Sequence, residues 1–330
     1  MNTRSTTTAW RLLAACAIAM TCAAAAAASP RYHLVDLGAY TNVYRVDAQG
    51  HVSGFTDDGK QAAVWSDGTW HPLGAQSDNG AFSSAIDVRG GATYTVFGSG
   101  AYVASYLARR GGGPVAILPD SGQDVWVWDV ARDGAVAGNT GGKTARCFVW
   151  RDGETRYMNS TGDQCNAQAI NDSHQVAGSM NTTPGGDMQA FLWQDGRFTM
   201  LGNLGGTFTV ANDINRAGHV AVASTTATGA SRAALYADGQ LVDLGTLPGA
   251  TDLAAVGLND RDVVVGRWFD TKGEHPFLAR GTQMVNLLPL IDDMQGLDLW
   301  GAIGINNAGV IIGNAVHKGV RHGYVLTPIE

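Results

Sequence analysis

The stretch AINDSHQVAGS, residues 169–179, followed by QAFLWQDGRFTMLG, residues 189–202, recurs in altered form along the chain. Its anchor is an aliphatic residue, then usually Asn or Asp, then two residues and usually Gly. Seven anchors are found, with spacings of 40, 44, 40, 44, 44 and 47 residues, in the segments RVDAQG, AIDVRG, DVARDG, AINDSH, DINRAG, GLNDRD and GINNAG. A period of about 43 residues indicates an array of small units that pack on their neighbours.

The repeat predicts four short β-strands per unit. The anchor lies on the first strand, and two β-rich segments follow it, such as QVAGS and QAFLW in the fourth copy. In four copies the third strand runs into Asp-Gly, at Asp67, Asp152, Asp195 and Asp238. Asp-Gly between β-rich runs is a strong hairpin signal, because Gly adopts positive φ without steric cost. A fourth strand, such as FTMLG, follows in six copies.

The strand missing from the seventh copy is found at the other end of the chain. Residues 32–38, YHLVDLG, read almost like QLVDLG at 240–245. A closed propeller whose last blade is completed by the N-terminal strand would produce this displacement, because closure leaves no unpaired sheet edge. We therefore predict an all-β fold, a seven-bladed β-propeller of four-stranded blades, as a single domain over residues 29–330.

Residues 1–28 have the layout of a secretory signal peptide, with Arg4 and Arg11 ahead of an apolar run and small residues up to Ala28. An uncleaved anchor, or processing at Cys16, are the alternatives to cleavage near Ala28. Cleavage there leaves 20 basic and 29 acidic side chains, a net charge of −9. This charge disfavours a nucleic-acid or anionic-membrane partner, and the mature chain has no segment apolar enough to span a bilayer. We expect a secreted protein, periplasmic, on the cell surface or extracellular.

Two cysteines belong to the mature chain, Cys147 and Cys165. In an oxidising compartment such a pair could form a disulfide, whereas two thiols without Cys-x-x-Cys spacing make a poor metal site. A bridge requires the two Cα atoms to lie within about 7 Å, which depends on the fold. From the sequence alone, a disulfide and two free thiols are both open.

The segments AINDSHQVAGS, QAFLWQDGRFTMLGNLGG and HPFLA (residues 275–279) resemble the HAF-type extracellular repeat. That repeat typically reads A-x-x-I-N-x-x-G-x-V-x-G, then H-A-F-L-W-x-x-G, then L-G-x-L-G-G. The resemblance covers roughly residues 31–330, with departures at Ala131, where Asn is expected, and at residues 107–113, LARRGGG, which replace the Asp-Gly turn. It implies a secreted bacterial repeat protein of unassigned activity, and it offers no catalytic residues.

The Asn or Asp after each aliphatic anchor begins the turn between the first and second strands. Such a side chain can hydrogen-bond its own backbone and stabilise the turn. Because one lies in almost every repeat, these side chains stand about a blade apart and cannot converge on one ion. We interpret them as structural. The sequence contains no P-loop and no nucleophile elbow, and the histidines lack zinc-site spacing, so no catalytic residue is assigned.

Functional residues are expected where the blades differ. If the strands run up and down in order, the first-to-second and third-to-fourth turns emerge at one end, which we call the Asx-turn face. The other end, the connection face, carries the second-to-third loops and the variable blade-to-blade connections, and variable loops usually carry function. The connections contain no Lys, Arg or His, and our candidate binding residues there are Asp78, Asp124, Asp163, Asp252 and Asp298.

Two interpretations of these aspartates are open. They could form an acidic channel mouth that attracts a basic partner or Ca²⁺, the one cofactor the sequence suggests, or they could be solvated turn residues. The leading functional prediction is a secreted binding or structural propeller that presents the connection face to a protein, glycan or cation. The alternative is a secreted polysaccharide lyase or glycoside hydrolase with two mouth carboxylates as acid and base.

Overall fold

A computed structural model describes residues 31–57, 60–76, 81–86, 92–96, 103–108, 114–118 and 122–329 of the chain. For residues 74–76, 81–86, 92–96 and 108 it describes the backbone alone. The predicted signal peptide, residues 1–28, and the candidate residue Asp78 lie outside the described residues.

The described residues form a β-propeller of seven four-stranded sheets, in which neighbouring strands are antiparallel. Blades 1 to 3 consist of β2 (Asn42–Val46), β3 (Val52–Thr56), β4 (Gln61–Ser66) and β5 (Thr69–Gln76); β6 (Ala81–Ile86), β7 (Ala92–Val96), β8 (Ala104–Ala108) and β9 (Val115–Ile117); and β10 (Val125–Val130), β11 (Val136–Thr140), β12 (Cys147–Arg151) and β13 (Glu154–Tyr157). Six sheets are described with nearly all of their side chains, whereas most side chains of blade 2 lie outside the described residues. The predicted all-β propeller with four-stranded blades is confirmed.

The second half of the chain continues the same order. Blades 4 to 6 consist of β14 (Cys165–Ile170), β15 (Val176–Asn181), β16 (Met188–Gln194) and β17 (Arg197–Met200); β18 (Gly205–Ile214), β19 (Val220–Thr226), β20 (Ser231–Ala237) and β21 (Gln240–Asp243); and β22 (Asp252–Leu258), β23 (Val263–Asp270), β24 (Gly273–Arg280) and β25 (Gln283–Asn286). A 3₁₀ turn, Leu288–Leu290, connects blade 6 to blade 7.

Blade 7 combines the two ends of the chain. Its strands are β26 (Asp298–Ile305), β27 (Ile311–His317), β28 (Val320–Ile329) and β1 (Arg31–Ala39). Strand β1 pairs with β28 in an antiparallel register from Arg31 opposite Ile329 to Ala39 opposite His322. The N-terminal strand therefore completes the last blade, as the displaced repeat predicts, and closure leaves no unpaired edge between the first and last blades.

The hydrophobic core is distributed between neighbouring blades. One cluster joins Cys147 and Met158 of blade 3 to Ala167 and Phe191 of blade 4, all of them buried. Small residues on the first strand let the blades approach near the axis, where a propeller tapers, and the larger side chains of the third strand fill the space farther out. Neighbouring blades 3 and 4 thus share one buried cluster.

A β-bulge recurs in the first strand of every blade, just before the anchor. In blade 3, Val127 pairs with Gly138 and Asp129 pairs with Ala137, which leaves Trp128 as the extra residue. Gly138 is required because a Cβ there would overlap the carbonyl oxygen of Trp126. A bulge re-aims the side chain that follows it, so the residue directly before the anchor does not obey strict in-and-out alternation.

Candidate functional site

Two predicted binding residues, Asp124 and Asp252, join neighbouring blades. Oδ1 of Asp124 accepts a hydrogen bond from the N–H of Val103 at 2.7 Å, and Oδ1 of Asp252 accepts one from the N–H of Ser231 at 2.8 Å. Both donors lie at the beginning of the third strand of the preceding blade. These carboxylates therefore serve the scaffold at the connection face and are not free turn residues.

The other predicted aspartates are not gathered with them into a metal site. Asp163 accepts hydrogen bonds from the side chain of Asn181 and the N–H of Gly185, and both lower the pKa of its carboxyl. Asp298 is exposed at the beginning of β26. In the part of the chain that the structure describes, no group of three or more His, Cys, Asp and Glu side chains is placed to hold a metal ion. The interpretation of these aspartates as an acidic mouth that attracts Ca²⁺ stays a prediction.

A row of contacts links the third strand of one blade to the first strand of the next, and we call these contacts latches. Each uses a hydroxyl group and a backbone group, and the pairs are Ser105 with Val125, Ala190 with Thr209, Ser231 with Leu253, and Gly323 with Thr41. The last of them holds blade 7 against blade 1. Because the same type of contact recurs between these pairs of blades, it fixes the position of each blade relative to the next.

The disulfide occupies the place of a latch between blades 3 and 4. Cys147 on the third strand of blade 3 is bonded to Cys165 on the first strand of blade 4, with Cα atoms 5.5 Å apart. Both residues are fully buried. The bridge that the sequence left open is therefore formed, and it replaces a hydroxyl latch by a covalent one.

In the five blades whose anchor Asn or Asp the structure describes, this side chain stabilises its own turn, as predicted. In blade 5, Oδ1 of Asn215 accepts hydrogen bonds from the N–H groups of Ala217 and His219, at 3.1 and 3.0 Å. Asp47 in blade 1 accepts the same two kinds of bond. The prediction that these side chains are turn residues is confirmed.

These Asn side chains also make a contact that the sequence did not reveal. The amide of Asn171 donates to the carbonyl oxygen of Asn215, Asn215 donates to Asn259, Asn259 to Asn306, and Asn306 to Asp47, over 2.9 to 3.2 Å. We call this chain of bonds the asparagine ladder. It runs through blades 4, 5, 6, 7 and 1, so each turn is fixed to the next one around the axis.

The asparagine ladder surrounds a basin of about 220 Å³ on the Asx-turn face. Its rim is built from the residue after each Asn, and charges alternate around it. Arg132 pairs with Asp172 at 3.1 Å, and Arg216 pairs with Asp260 at 3.8 Å, in both cases between neighbouring blades. Asn307 donates to Asp260 at 2.7 Å. These contacts neutralise the rim, so this mouth of the channel carries little net charge.

Below the basin, one arginine crosses the axial channel. Arg45 of blade 1 donates from Nη2 to the carbonyl oxygen of Gln168 in blade 4 at 3.1 Å, and its Nε lies 3.8 Å from Oδ1 of Asp129 in blade 3. The charges of Arg45 and Asp129 also act on the carboxyl group of Asp213 in blade 5. We call Arg45, Asp129 and Asp213 the axial triad. The three groups together carry one net negative charge when all of them are ionised.

Sequence analysis missed the axial triad, although the repeat contains a signal for it. The three residues stand directly before the anchor aliphatic, where the other four blades have Ala85, Ala169, Gly257 and Gly304. Charged residues at a repeat position that otherwise holds only Ala or Gly indicate a role that the other blades do not share. Strict strand alternation hid them, because the bulge turns this position toward the axis.

Burial in the channel wall raises the pKa of Asp213 to about 6; Arg45 opposes the shift, and the charge of Asp129 adds to it. Burial also raises the pKa of Asp129, again against Arg45. Both carboxylates accept backbone hydrogen bonds from the next blade, Asp129 from Ile170 and Asp213 from Leu258. They therefore act as contacts between blades as well as carrying charge on the axis.

Replacing Asp213 by Asn is expected to raise the free energy of unfolding by about 1–2 kcal/mol at neutral to alkaline pH. With a pKa of about 6 in the folded protein, Asp213 keeps a proton that the unfolded chain releases near pH 4. Stability linked to this proton is complete below about pH 4 and is lost as the pH rises through about 6. The raised pKa of Asp213 corresponds to about 3 kcal/mol of stability, which the Asn variant regains at high pH. The variant loses the hydrogen bond from the N–H of Ile214, which offsets about 1 kcal/mol of that gain.

The measurement is urea unfolding of both proteins from about pH 4 to about pH 8. The Asp243→Asn variant is the matched control, because Asp243 is exposed and its carboxylate accepts from Gly245 on the surface. A stability difference between Asp213→Asn and the parent that stays constant with pH would contradict the assignment.

Exposed aromatic side chains stand at the connection face. Tyr40 is 52% exposed, Phe208 45% and Trp300 39%. They lie at or near the beginning of the first strands of blades 1, 5 and 7, the strands that surround the axis. The same end carries the exposed carboxylate of Asp298. The mouth that sequence analysis selected for its acids thus also presents apolar rings.

Among the described residues no helix is long and apolar enough to cross a membrane. Comparison with known proteins found no matching family model and no matching curated protein.

Solved structures with the same architecture are similar to this chain. The β-propeller domain of the Trilobed protease from Pyrococcus furiosus has a TM-score of 0.59 at 8% identity, over 90% of this chain and 93% of that one. Virginiamycin B lyase from Staphylococcus aureus has a TM-score of 0.57 at 11% identity, over 91% of this chain and all of that one. A structure described as YCF48 bound to D1 peptide has a TM-score of 0.55 at 9% identity, over 90% and 96%. At such identities the likeness establishes the propeller fold, which serves both enzymes and binding proteins.

Proposed function

We propose that this chain is a secreted binding propeller whose ligand is a positively charged polypeptide segment, held at the channel mouth on the connection face. The observation that carries the proposal is the exposure of Tyr40, Phe208 and Trp300 where the first strands begin. Exposed large apolar side chains that recur around one opening are typical of interaction sites, and aromatic residues are enriched in the cores of such interfaces.

The charge of the blade-to-blade connections favours a cationic ligand at the channel mouth, whereas the second-to-third loops of the same face carry Lys60, Lys143, Lys272 and Lys318. The blade-to-blade connections contain no Lys, Arg or His, and Asp298 stands exposed beside Trp300 in β26. Aromatic faces attract Lys and Arg side chains, by about 0.5–1 kcal/mol at exposed sites. A carboxylate next to an aromatic ring therefore suits a basic side chain in two ways, through the ring face and through ion pairing.

Secretion is supported by the signal-like residues 1–28 and by the buried disulfide, since disulfides persist in oxidising compartments. The resemblance to HAF-type extracellular repeats points to the same compartment. The structural likenesses contribute the fold alone to this proposal.

Binding is better supported than catalysis at this mouth. Of the four predicted aspartates that the structure describes, Asp124, Asp163 and Asp252 accept hydrogen bonds from the scaffold. A general acid and base pair in a glycoside hydrolase needs two carboxylates that are free to contact the substrate. The exposed rings of Tyr40, Phe208 and Trp300 have no such partner in the part of the chain that the structure describes, and they are accessible to a ligand.

The test is calorimetric titration of the mature protein with pentalysine and pentaarginine, and with pentaglutamate as the opposite charge. We expect binding of the basic peptides alone, weakened by salt, and a loss of at least about fivefold in affinity for Trp300→Ala and for Phe208→Ala. The matched control is Val242→Ala, because Val242 is also an exposed apolar residue, 44% exposed, but lies on the outer strand of blade 5.

Equal affinity of the two aromatic variants and the parent protein would overturn the proposed site. Binding of neutral oligosaccharides with no heat from the basic peptides would overturn the choice of a polypeptide ligand and indicate a glycan. Thermal unfolding of each variant shows whether a loss of affinity comes from a loss of folded protein.

A further inference from the structure

A second candidate site lies on the opposite face, between blades 3 and 4. It is a cleft of about 520 Å³, and we call it the blade 3–4 cleft. It is lined by the third-to-fourth turn of blade 3, which contains Asp152 and Glu154, and by the first-to-second turn of blade 4, which contains His174. It shares no residue with the aromatic mouth on the connection face.

The blade 3–4 cleft has an apolar floor and polar walls. Ala135, Val149 and Trp193 contribute the floor. Two ion-pair systems hold the walls in place. On one side, Oδ2 of Asp133 lies 2.8 Å from Nη1 of Arg151 and 2.9 Å from Nε2 of His174, which joins the two blades.

On the other side, Arg156 of blade 3 reaches over the Asp-Gly turn of blade 4. Its guanidinium lies 4.9 Å from the centre of the Trp193 ring and 4.0 Å from Oδ1 of Asp195. A guanidinium stacked on an indole keeps its planar set of N–H donors in one orientation. Since little side-chain entropy is then lost on binding, these donors are preorganised for a ligand.

Trp193 has hydrogen-bonding capacity that the protein does not use. The residue is 3% exposed and lines the cleft, and its indole N–H has no acceptor among the residues that the structure describes. A buried N–H without a partner costs about 1–3 kcal/mol. This nitrogen has less than 1 Å² of accessible surface, so its signal reports changes at the base of the cleft and not direct contact with a ligand.

A second space lies on the other side of the β16–β17 hairpin of blade 4, the hairpin that contains Trp193 and Asp195, and it serves for comparison. A space of about 460 Å³ there is lined by Leu192, Gln194, Asp195, Arg197 and Thr199, without an aromatic ring. The size of a groove between blades therefore does not distinguish the blade 3–4 cleft. Its distinguishing features are the stacked Arg156, the unpaired indole N–H and the ion pairs that cross the blade boundary.

We infer that the blade 3–4 cleft binds a short neutral saccharide of one or two rings. Its lining offers donors from Arg151 and Arg156 and acceptors from Asp152, Glu154 and Asp195, so neither sign of charge dominates. A pyranose presents both donors and acceptors around an apolar ring, which matches such walls and such a floor. The volume falls in the range of about 300–1,000 Å³ that small-molecule sites occupy.

The experiment is titration of the ¹⁵N-labelled protein with cellobiose, maltose and chitobiose, followed through the tryptophan indole ¹⁵N–¹H signals. Trp193→Phe assigns the signal of Trp193. We expect one of the disaccharides to shift this signal in a saturable way while the indole signal of Trp70, which donates to the carbonyl oxygen of Leu37 in another part of the propeller, stays in place.

Two arginine variants test the geometry. Arg156→Ala is expected to weaken the saccharide affinity at least about tenfold, because it removes the donors stacked over the floor. Arg197→Ala is the matched control, since this exposed arginine lies on the far side of the same hairpin, and it should leave the affinity unchanged. The inference is overturned if none of the disaccharides shifts the Trp193 signal, or if Arg156→Ala binds as tightly as the parent. If Trp193→Phe does not fold, the signal lost or moved in Arg156→Ala supplies the assignment.

Discussion

Replacing both Cys147 and Cys165 by alanine is expected to lower the free energy of unfolding by about 3 kcal/mol. The bridge closes a segment with a sequence separation of 18 residues, and cross-linking such a segment restricts the unfolded chain by about this amount. The loss of packing in the folded state adds to the effect, because both cysteines belong to the buried cluster between blades 3 and 4. Losing the covalent latch therefore affects the contact between two blades, on which the closed ring depends.

Urea unfolding of the parent and the double variant, each with and without a thiol reductant, measures this. The parent in reductant should approach the double variant, and the variant itself should not respond. Thr209→Val, which removes the hydroxyl latch between blades 4 and 5, is the matched control and should cost about 1 kcal/mol. An equal cost for the covalent and the hydroxyl latch would show that the disulfide adds nothing beyond local packing.

The Asn259→Ala variant is expected to be less stable than the parent by about 3 kcal/mol, because three backbone groups, two of them buried, lose their partner. Oδ1 of Asn259 accepts from the N–H groups of Arg261 and Val263, and its amide donates to the carbonyl oxygen of Asn306 in the next blade. The residue is 5% exposed, so solvent does not replace these bonds. The matched control is Asn203→Ala, which removes one exposed Asx bond to Gly205 and should cost about 0.5 kcal/mol.

The Asn259→Asp variant separates the two roles of this side chain. A carboxylate can still accept from the turn, as Asp47 does in blade 1. It cannot donate to Asn306 until it is protonated, so we expect this variant to recover stability as the pH falls toward about 4. A pH-independent stability close to that of the parent would mean that the ladder bond between blades contributes nothing.

The propeller could be predicted because its repeat is visible in the sequence. Asp-Gly pairs and Asx residues at a fixed spacing specify turns through local backbone preferences, and the displaced strand YHLVDLG specifies closure through the absence of a partner for the last blade. The roles of individual acids could not be predicted in this way. Asp124 and Asp252 lie in acidic connections of the kind expected at a binding mouth. The N–H groups that donate to them, however, lie 21 residues earlier, in the preceding blade.

The sequence by itself determined the β-propeller, its four-stranded blades, its closure by the N-terminal strand and the turn role of the anchor Asn residues. All of these follow from short-range preferences repeated along the chain. Only the tertiary structure decided that Cys147 and Cys165 are bonded, that Asn side chains form a ladder, and that Arg45, Asp129 and Asp213 interact electrostatically near the axis. The physical reason is the same in each case: these contacts join residues of different blades, and their distances depend on how the sheets pack around the axis and on a bulge that turns one side chain per blade.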